Sequence, residues 1–260
     1  TSRPKQVQLS CMNIISSALN IANVLKLEKK DKGMNIMPLF HIHGLIASLL
    51  SSIVTGSSLV CTSGFNALTF YDRLRNFNPT WITAVPTMYQ AILSRASRNK
   101  EIIQSSKLRL LRSSSAAMPV ATIETLENVF QCPVIEAYGM TEASHQMASN
   151  FLDGIRKAGS VGKSAGPEIA LFKDNKLITV PNTIGEIIIK GKNVTNGYKN
   201  NDKANIENFF NGWFRTGDLG KFDEDGFLFI SGRIKEIINK GGEKISPQEV
   251  DEALMKHEAV

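Results

Sequence analysis

The chain has 260 residues, 42% of them hydrophobic and 21% charged, a balance that fits a packed core and excludes a disordered polyelectrolyte. Its net charge of +6 is spread along the chain without interleaved aromatics, which argues against a nucleic-acid surface and suits anionic small molecules. Cys11, Cys61 and Cys132 lack metal-ligand spacing and read as reduced thiols of an intracellular protein.

The chain opens on Thr1-Ser2-Arg3-Pro4-Lys5-Gln6, a short polar loop before a helical pattern over residues 9–25. Backbone amides and a Lys ahead of a helix N-terminus suit phosphate. Residues 34–37 predict a strand ended by Pro38, followed by Leu39-Phe40-His41-Ile42-His43-Gly44 and a helix over 45–52. His41 and His43, two apart after a strand end, can line a pocket floor or chelate a metal, but no third ligand is near in sequence. The apolar stretch 45–60 is broken by Ser and Thr, so it reads as a buried helix and strand rather than a membrane span.

Strands at 58–62, 80–85 and 108–112 alternate with helices at 67–77, 86–95 and 119–130. That rhythm predicts an α/β fold, a doubly wound and mostly parallel sheet. Ser113-Ser114-Ser115-Ala116-Ala117 is a tract of small residues that lets a ligand lie against backbone and offers hydroxyl donors. Cys132-Pro133-Val134-Ile135 reads as a strand end, followed by Glu136-Ala137-Tyr138-Gly139-Met140-Thr141-Glu142 and His145 at the turn into the next element. Ligands of open α/β sheets bind at such strand ends. There Tyr138 can stack on a base, Thr141 can bond a phosphate and Glu142 can hold a hard cation.

Beyond residue 150 the chain becomes β-rich, with short strands at 169–172, 176–180 and 186–190. Trp213-Phe214-Arg215-Thr216-Gly217-Asp218 predicts an Asp in a Gly-flanked bend, suited to a vicinal diol or simply to a turn. Asp223-Glu224-Asp225-Gly226 predicts a hairpin turn; the Gly-rich, charged junction 232–242 marks a domain boundary, and Ser246-Pro247-Gln248-Glu249 opens a helix. The division is 1–150 for the α/β part, 151–232 for a β-rich subdomain, and 233–260 for a hinge and the beginning of a small α+β domain.

In this order the motifs resemble the adenylate-forming superfamily of acyl-CoA synthetases, luciferases and peptide-synthetase adenylation domains. The resemblance spans essentially the whole chain and rests on residues 136–142, 213–218, 232–236 and 241–246. It implies an acid activated with ATP to an acyl-adenylate and then transferred to coenzyme A, with Mg2+ as cofactor. Thr1, Ser2 and Lys5 resemble the tail of the ATP phosphate loop, although Ser2 and Gln6 stand where Gly is usual. Thr141 resembles the phosphate hydroxyl, Glu142 the magnesium ligand, and Tyr138 the adenine partner beside Glu136 and Ala137. Asp218 and Arg233 resemble the ribose contacts, Lys235 the hinge, and Gly241 and Gly242 the pantetheine path.

Residues 38–44, 112–117, 141–150 and 241–247 are most similar to the oxalate–CoA ligase branch, peroxisomal CoA-synthetase-like proteins. The resemblance implies a short polar pocket built from His41, His43, Ser113, Ser115 and His145, with Ser115 also near the nucleotide. Alternatives are a ligase for an aromatic or longer acid, a domain loading a carrier protein, and a non-catalytic nucleotide-binding homologue. A cytoplasmic or peroxisomal location is expected. Thr1 opens without Met inside a loop and Val260 stops inside a helix, so residues 1–260 alone are expected to bind nucleotide weakly without completing adenylation.

Overall fold

The computed structural model describes residues 4–240, 243–245 and 247–254. Its first sheet has seven strands in the order β2-β1-β3-β4-β5-β6-β7. They are β1 (Lys32–Asn35), β2 (Ser58–Cys61), β3 (Trp81–Ala84), β4 (Leu110–Ser113), β5 (Val134–Met140), β6 (His145–Ser149) and β7 (Lys163–Ser164). The pairs from β2 through β5 are parallel, whereas β6 and β7 are added antiparallel.

The helices are α1 (Cys11–Val24), α2 (Ser51–Ile53), α3 (Phe70–Phe77), α4 (Pro86–Leu93), α5 (Lys100–Ser105) and α6 (Val120–Phe130). Helix α1 starts at a reciprocal cap in which the Ser10 hydroxyl accepts from the Asn13 amide and the Asn13 side chain accepts from the Ser10 amide. Pro86 occupies the first turn of α4, where its missing N–H leaves nothing unpaired. Helices α3 and α6 stop at Asn78 and Gln131, both left-handed.

Strand alternation sends successive side chains to opposite faces. Ile82, Leu111 and Val134 pack with Tyr71, Leu74, Tyr89, Ile123 and Leu126 on one face. Trp81, Leu110 and Ile135 pack with Ile21, Leu25 and Ile46 on the other. Helices cover both faces, and the doubly wound reading holds. Thr83 and Arg112 share the second face and are direct partners across the β3–β4 ladder. That face is completed by a π-helical segment, His43–Leu50, running into α2. A side chain at Gly44 would meet the Pro38 carbonyl at 2.3 Å, so the wide turn requires glycine there.

The second sheet is antiparallel: β8 (Glu168–Lys173), β9 (Lys176–Ile178), β10 (Gly185–Lys190), β11 (Phe209–Phe210), β12 (Trp213–Phe222) and β13 (Leu228–Arg233). Its core of Leu171, Ile187, Ile189, Phe214 and Leu228 takes in Met147 and Ala148 from β6, which joins the two sheets. A hairpin, β14 (Ile238–Lys240) with β15 (Glu243–Ile245), follows the turn at residues 234–236. The next helices in chain order are α7 (Asp202–Asn208), inside the β-rich part, and α8 (Pro247–Leu254), after the hairpin.

Three local readings are corrected. The strand does not end at Ile135 before a turn over residues 136–145: β5 runs on through Met140 and turns back as β6 after a single 3-10 turn, Thr141–Ala143. Asp218 lies inside the ten-residue strand β12, although Gly217 beside it is left-handed. Helices α5 and α7 were missing from the pattern, being short and mostly polar.

Candidate functional site

The C-terminal ends of β1, β4 and β5 release His41, Ser115 and Gly139 toward one cavity of about 700 Å³, closed on its far side by Gly217 and Arg233 of the second sheet. The cavity therefore spans the two sheets at the strand ends where open α/β folds bind ligands.

Thr141, Glu142 and Lys5 border it together. The Tyr198 hydroxyl donates to Glu142 Oε1 at 2.7 Å, and the Lys5 ammonium lies 4.6 Å from the Tyr198 ring centroid. Burial pushes the Tyr198 phenol above its ordinary pKa, with Glu142 adding to the effect, so it remains a neutral donor. The loop carrying Tyr198 is sewn on both sides. Thr195 N–H donates to the Glu142 carbonyl at 2.7 Å, and Lys199 N–H donates to the Gln6 carbonyl at 2.9 Å. Among the described residues no group of three His, Cys, Asp or Glu is gathered for a metal. Among the described residues the Glu142 carboxylate has a single hydrogen bond, which fits a Mg2+ ion held by one carboxylate, phosphates and water.

Arg233 and Lys235 also border the cavity. The Arg233 Nε–H donates to Asp218 Oδ1 at 2.8 Å, and the Tyr138 hydroxyl donates to Asp218 Oδ2. Asp218 is buried and Tyr138 half-buried, and neither is part of the cavity wall. They lie behind Gly139 and Gly217, which are. Glu136 and Ala137 stay within the sheet. The Glu136 carboxylate accepts from Gly159 N–H at 3.0 Å, and the Ala137 carbonyl accepts from the Ser114 hydroxyl at 2.8 Å. Lys235 occupies the turn between the second sheet and the β14–β15 hairpin. Thr1, Ser2, Gly241 and Gly242 lie outside the described residues.

The acid-pocket candidates divide in the same way. His41, Ser115 and His145 face the cavity; His43 and Ser113 lie behind its wall. His43 is fully buried, with Nδ1 3.0 Å from Ser115 Oγ and Nε2 2.6 Å from Thr83 Oγ1. His145 meets it edge-on at 5.0 Å between ring centroids. Burial first, and the Arg112 charge second, hold both imidazoles well below the usual histidine pKa.

Arg112, Thr83 and Tyr198 were not among the sequence's candidates. Arg112 is fully buried, and among the described residues its guanidinium bonds only to neutral oxygens, Thr83 Oγ1 and Gln146 Oε1, each at 3.2 Å. Burial pulls its pKa down to about 10, which leaves it charged at neutral pH. Arg112 Nε, Ser113 Oγ, Ser144 Oγ and His145 Nδ1 are buried without a partner among the described residues. A second Arg at the end of the strand-length run Leu108-Arg109-Leu110-Leu111-Arg112 was the available signal.

The family described as AMP-binding enzyme matches residues 1–199, most of the chain. The chain belongs to this family. An oxalate–CoA ligase of Arabidopsis thaliana is 49% identical over 99% of this chain and 51% of its own length. A probable CoA ligase of Humulus lupulus is 51% identical over 99% of this chain and 50% of its own length. The chain therefore spans about half the length of these curated relatives. Among solved structures, the o-succinylbenzoate coenzyme A synthetase of Bacillus subtilis, in complex with ATP and a magnesium ion, superposes with a TM-score of 0.89 at 34% identity. That match covers 100% of this chain and 54% of the other. No described helix of this family member is long and apolar enough to cross a membrane.

Proposed function

We propose that this chain carries the nucleotide and acid sites of an AMP-forming acid–CoA ligase whose acid is a small dicarboxylate, oxalate. The observation that carries the reading is the shared cavity: Lys5, Thr141 and Glu142 border the same space as His41, Ser115 and His145. The match to a relative named oxalate–CoA ligase supports the choice of acid.

In this reading a substrate carboxylate attacks the α-phosphorus of ATP, forming the acyl-adenylate as pyrophosphate leaves. The CoA thiol then attacks the acyl carbon, AMP departs and the thioester remains. When bound, Mg2+ offsets the charge of the phosphates. Glu142 would hold it, Tyr198 orients that carboxylate, and Lys5 and Thr141 face the phosphates. Arg233 faces the ribose; Tyr138 backs the adenine side from behind Gly139, Asp218 would reach the ribose once a ribose hydroxyl replaces the Tyr138 donor, and Lys235 is the pivot for the segment beyond it. The acid end has polar donors and buried imidazoles where a long acyl chain would need an apolar tunnel. The full-length protein tests this in an ATP–pyrophosphate exchange assay with oxalate, malonate, acetate and a cinnamate-type acid. Oxalate should give the highest kcat/KM; preference for acetate or the cinnamate would overturn the choice of acid, and no exchange with any acid would overturn the ligase reading.

A further inference from the structure

Arg112 presents an anomaly that the proposed chemistry does not use: a guanidinium sealed inside the first sheet with no anion beside it among the described residues. Buried charges are ordinarily paired, because desolvating one alone is costly. Its neighbours show what the charge does instead. Thr83 is the partner of Arg112 across the parallel ladder, and both side chains rise on the face covered by the His43 segment.

Arginine can only donate, so the Arg112 Nη1–H bond at 3.2 Å makes Thr83 Oγ1 an acceptor. The Thr83 hydroxyl has one proton, and the remaining group in reach among the described residues is His43 Nε2, at 2.6 Å. If His43 also donated there, the Thr83 proton would be buried with no acceptor, a costly arrangement. Nε2 therefore accepts, and the neutral ring carries its proton on Nδ1. Nδ1–H in turn donates to Ser115 Oγ at 3.0 Å, so the Ser115 hydroxyl keeps its own proton for an acceptor in the cavity it borders. Chains of this kind polarise one another in a low-dielectric interior.

We propose that Arg112 and Thr83 are positioning residues that fix a one-way hydrogen-bond relay, Arg112 to Thr83 to His43 to Ser115, and so present a hydroxyl donor that selects acids with a second carboxylate. This rests on reading the His41–Ser115–His145 end of the cavity as the acid site. A carboxylate only accepts, so a donor fixed in direction rewards it, and a methyl group in the same place gains nothing.

Two measurements on the full-length protein separate the relay from the acid assignment. With 15N-labelled histidine, NMR should find His43 as the Nδ1–H tautomer in the wild type, whatever acid is used. An Nε2–H tautomer would overturn the relay. Thr83→Val preserves shape but removes the hydroxyl. It should raise the KM for oxalate roughly tenfold and leave the KM for ATP and the rate with acetate within about twofold. Thr83→Ser should restore the wild-type KM, and Arg112→Gln should narrow the oxalate-over-acetate preference in the same direction. An oxalate KM unchanged in Thr83→Val, or a loss shared equally by acetate and ATP, would sink the proposal. A wild-type enzyme that ignores oxalate while His43 shows the Nδ1–H tautomer would refute the acid assignment and leave the relay standing.

Discussion

The Tyr138 hydroxyl donates to the buried Asp218 carboxylate, joining strand β5 of the first sheet to strand β12 of the second. Arg233 holds the other carboxylate oxygen, so both oxygens are bonded within the protein. The bond is a clasp between the sheets at the back of the cavity. Burial, followed by the Asp218 charge, pushes the phenol pKa well above its usual value, so it stays a donor throughout the working pH range.

Tyr138→Phe removes that donor and leaves a buried carboxylate oxygen unpaired. The expected cost is about 1–3 kcal/mol of stability. If Asp218 meets ribose hydroxyls in the proposed complex, saturating ATP supplies replacement donors. Urea unfolding with and without ATP should then show the deficit shrinking when nucleotide is present. A deficit of equal size in both conditions would remove Asp218 from the nucleotide site.

Glu142 separates structural from ligand roles through a different substitution. Glu142→Gln keeps an oxygen for the Tyr198 hydroxyl, so stability should change by about 0.5 kcal/mol or less. It removes the charge proposed to hold Mg2+, and affinity for ATP in the presence of magnesium should fall about tenfold. Calorimetric titration with ATP, repeated with EDTA, reads both parts. Equal ATP affinity for variant and wild type in magnesium would exclude Glu142 as the metal ligand.

The alternation of strands and helices through residue 130 was legible because apolar runs of strand length are bounded by Pro, Gly and polar turns. Where the reading failed, tertiary pairing overrode local preference. Glu136-Ala137-Tyr138-Gly139-Met140 has few strand formers, yet it is held extended by β4 at Glu136 and by β6 from Ala137 to Met140. Residues 216–220, with two glycines and an Asp, are strand because β10 and β13 flank them. Motif residues such as Thr141 and Glu142 were found because they are contiguous. Tyr198 was missed because its partner is 56 residues away, and Arg112 because burial of a charge cannot be read from spacing.

Glu136 gives the chain a pH-dependent stability. Burial raises its pKa from the usual 4.5 to about 7, and the hydrogen bond from Gly159 N–H only partly opposes this. The folded state therefore binds more protons than the unfolded state between those values. Stability is full below about pH 4.5, falls as pH rises toward 7, and levels off above, for a total of about 3 kcal/mol. Glu136→Gln cannot ionise and keeps an acceptor for Gly159. The variant should be more stable than wild type at pH 8 and nearly equal at pH 5. Thermal melts at the two pH values test this, and a gain as large at pH 5 as at pH 8 would contradict it.

Gly139 and Gly217 both border the cavity, from opposite sheets, and predict opposite sensitivities. A Cβ at Gly139 would lie 1.8 Å from the His145 carbonyl oxygen and 2.8 Å from His145 Nδ1, so alanine forces apart the β5–β6 turn that carries His145. Backbone cannot yield that far without breaking the ladder, and a loss above about 3 kcal/mol is expected. Gly217 is left-handed, at φ +76°, and a methyl group added there would find nothing within 4 Å, so alanine meets only backbone strain of about 1–2 kcal/mol. Urea midpoints of Gly139→Ala and Gly217→Ala should differ accordingly, with the first variant also losing oxalate preference because His145 is displaced. Equal midpoints would mean that the β5–β6 turn is softer than its contacts imply, and that His145 is not held in place by the absence of a side chain at Gly139.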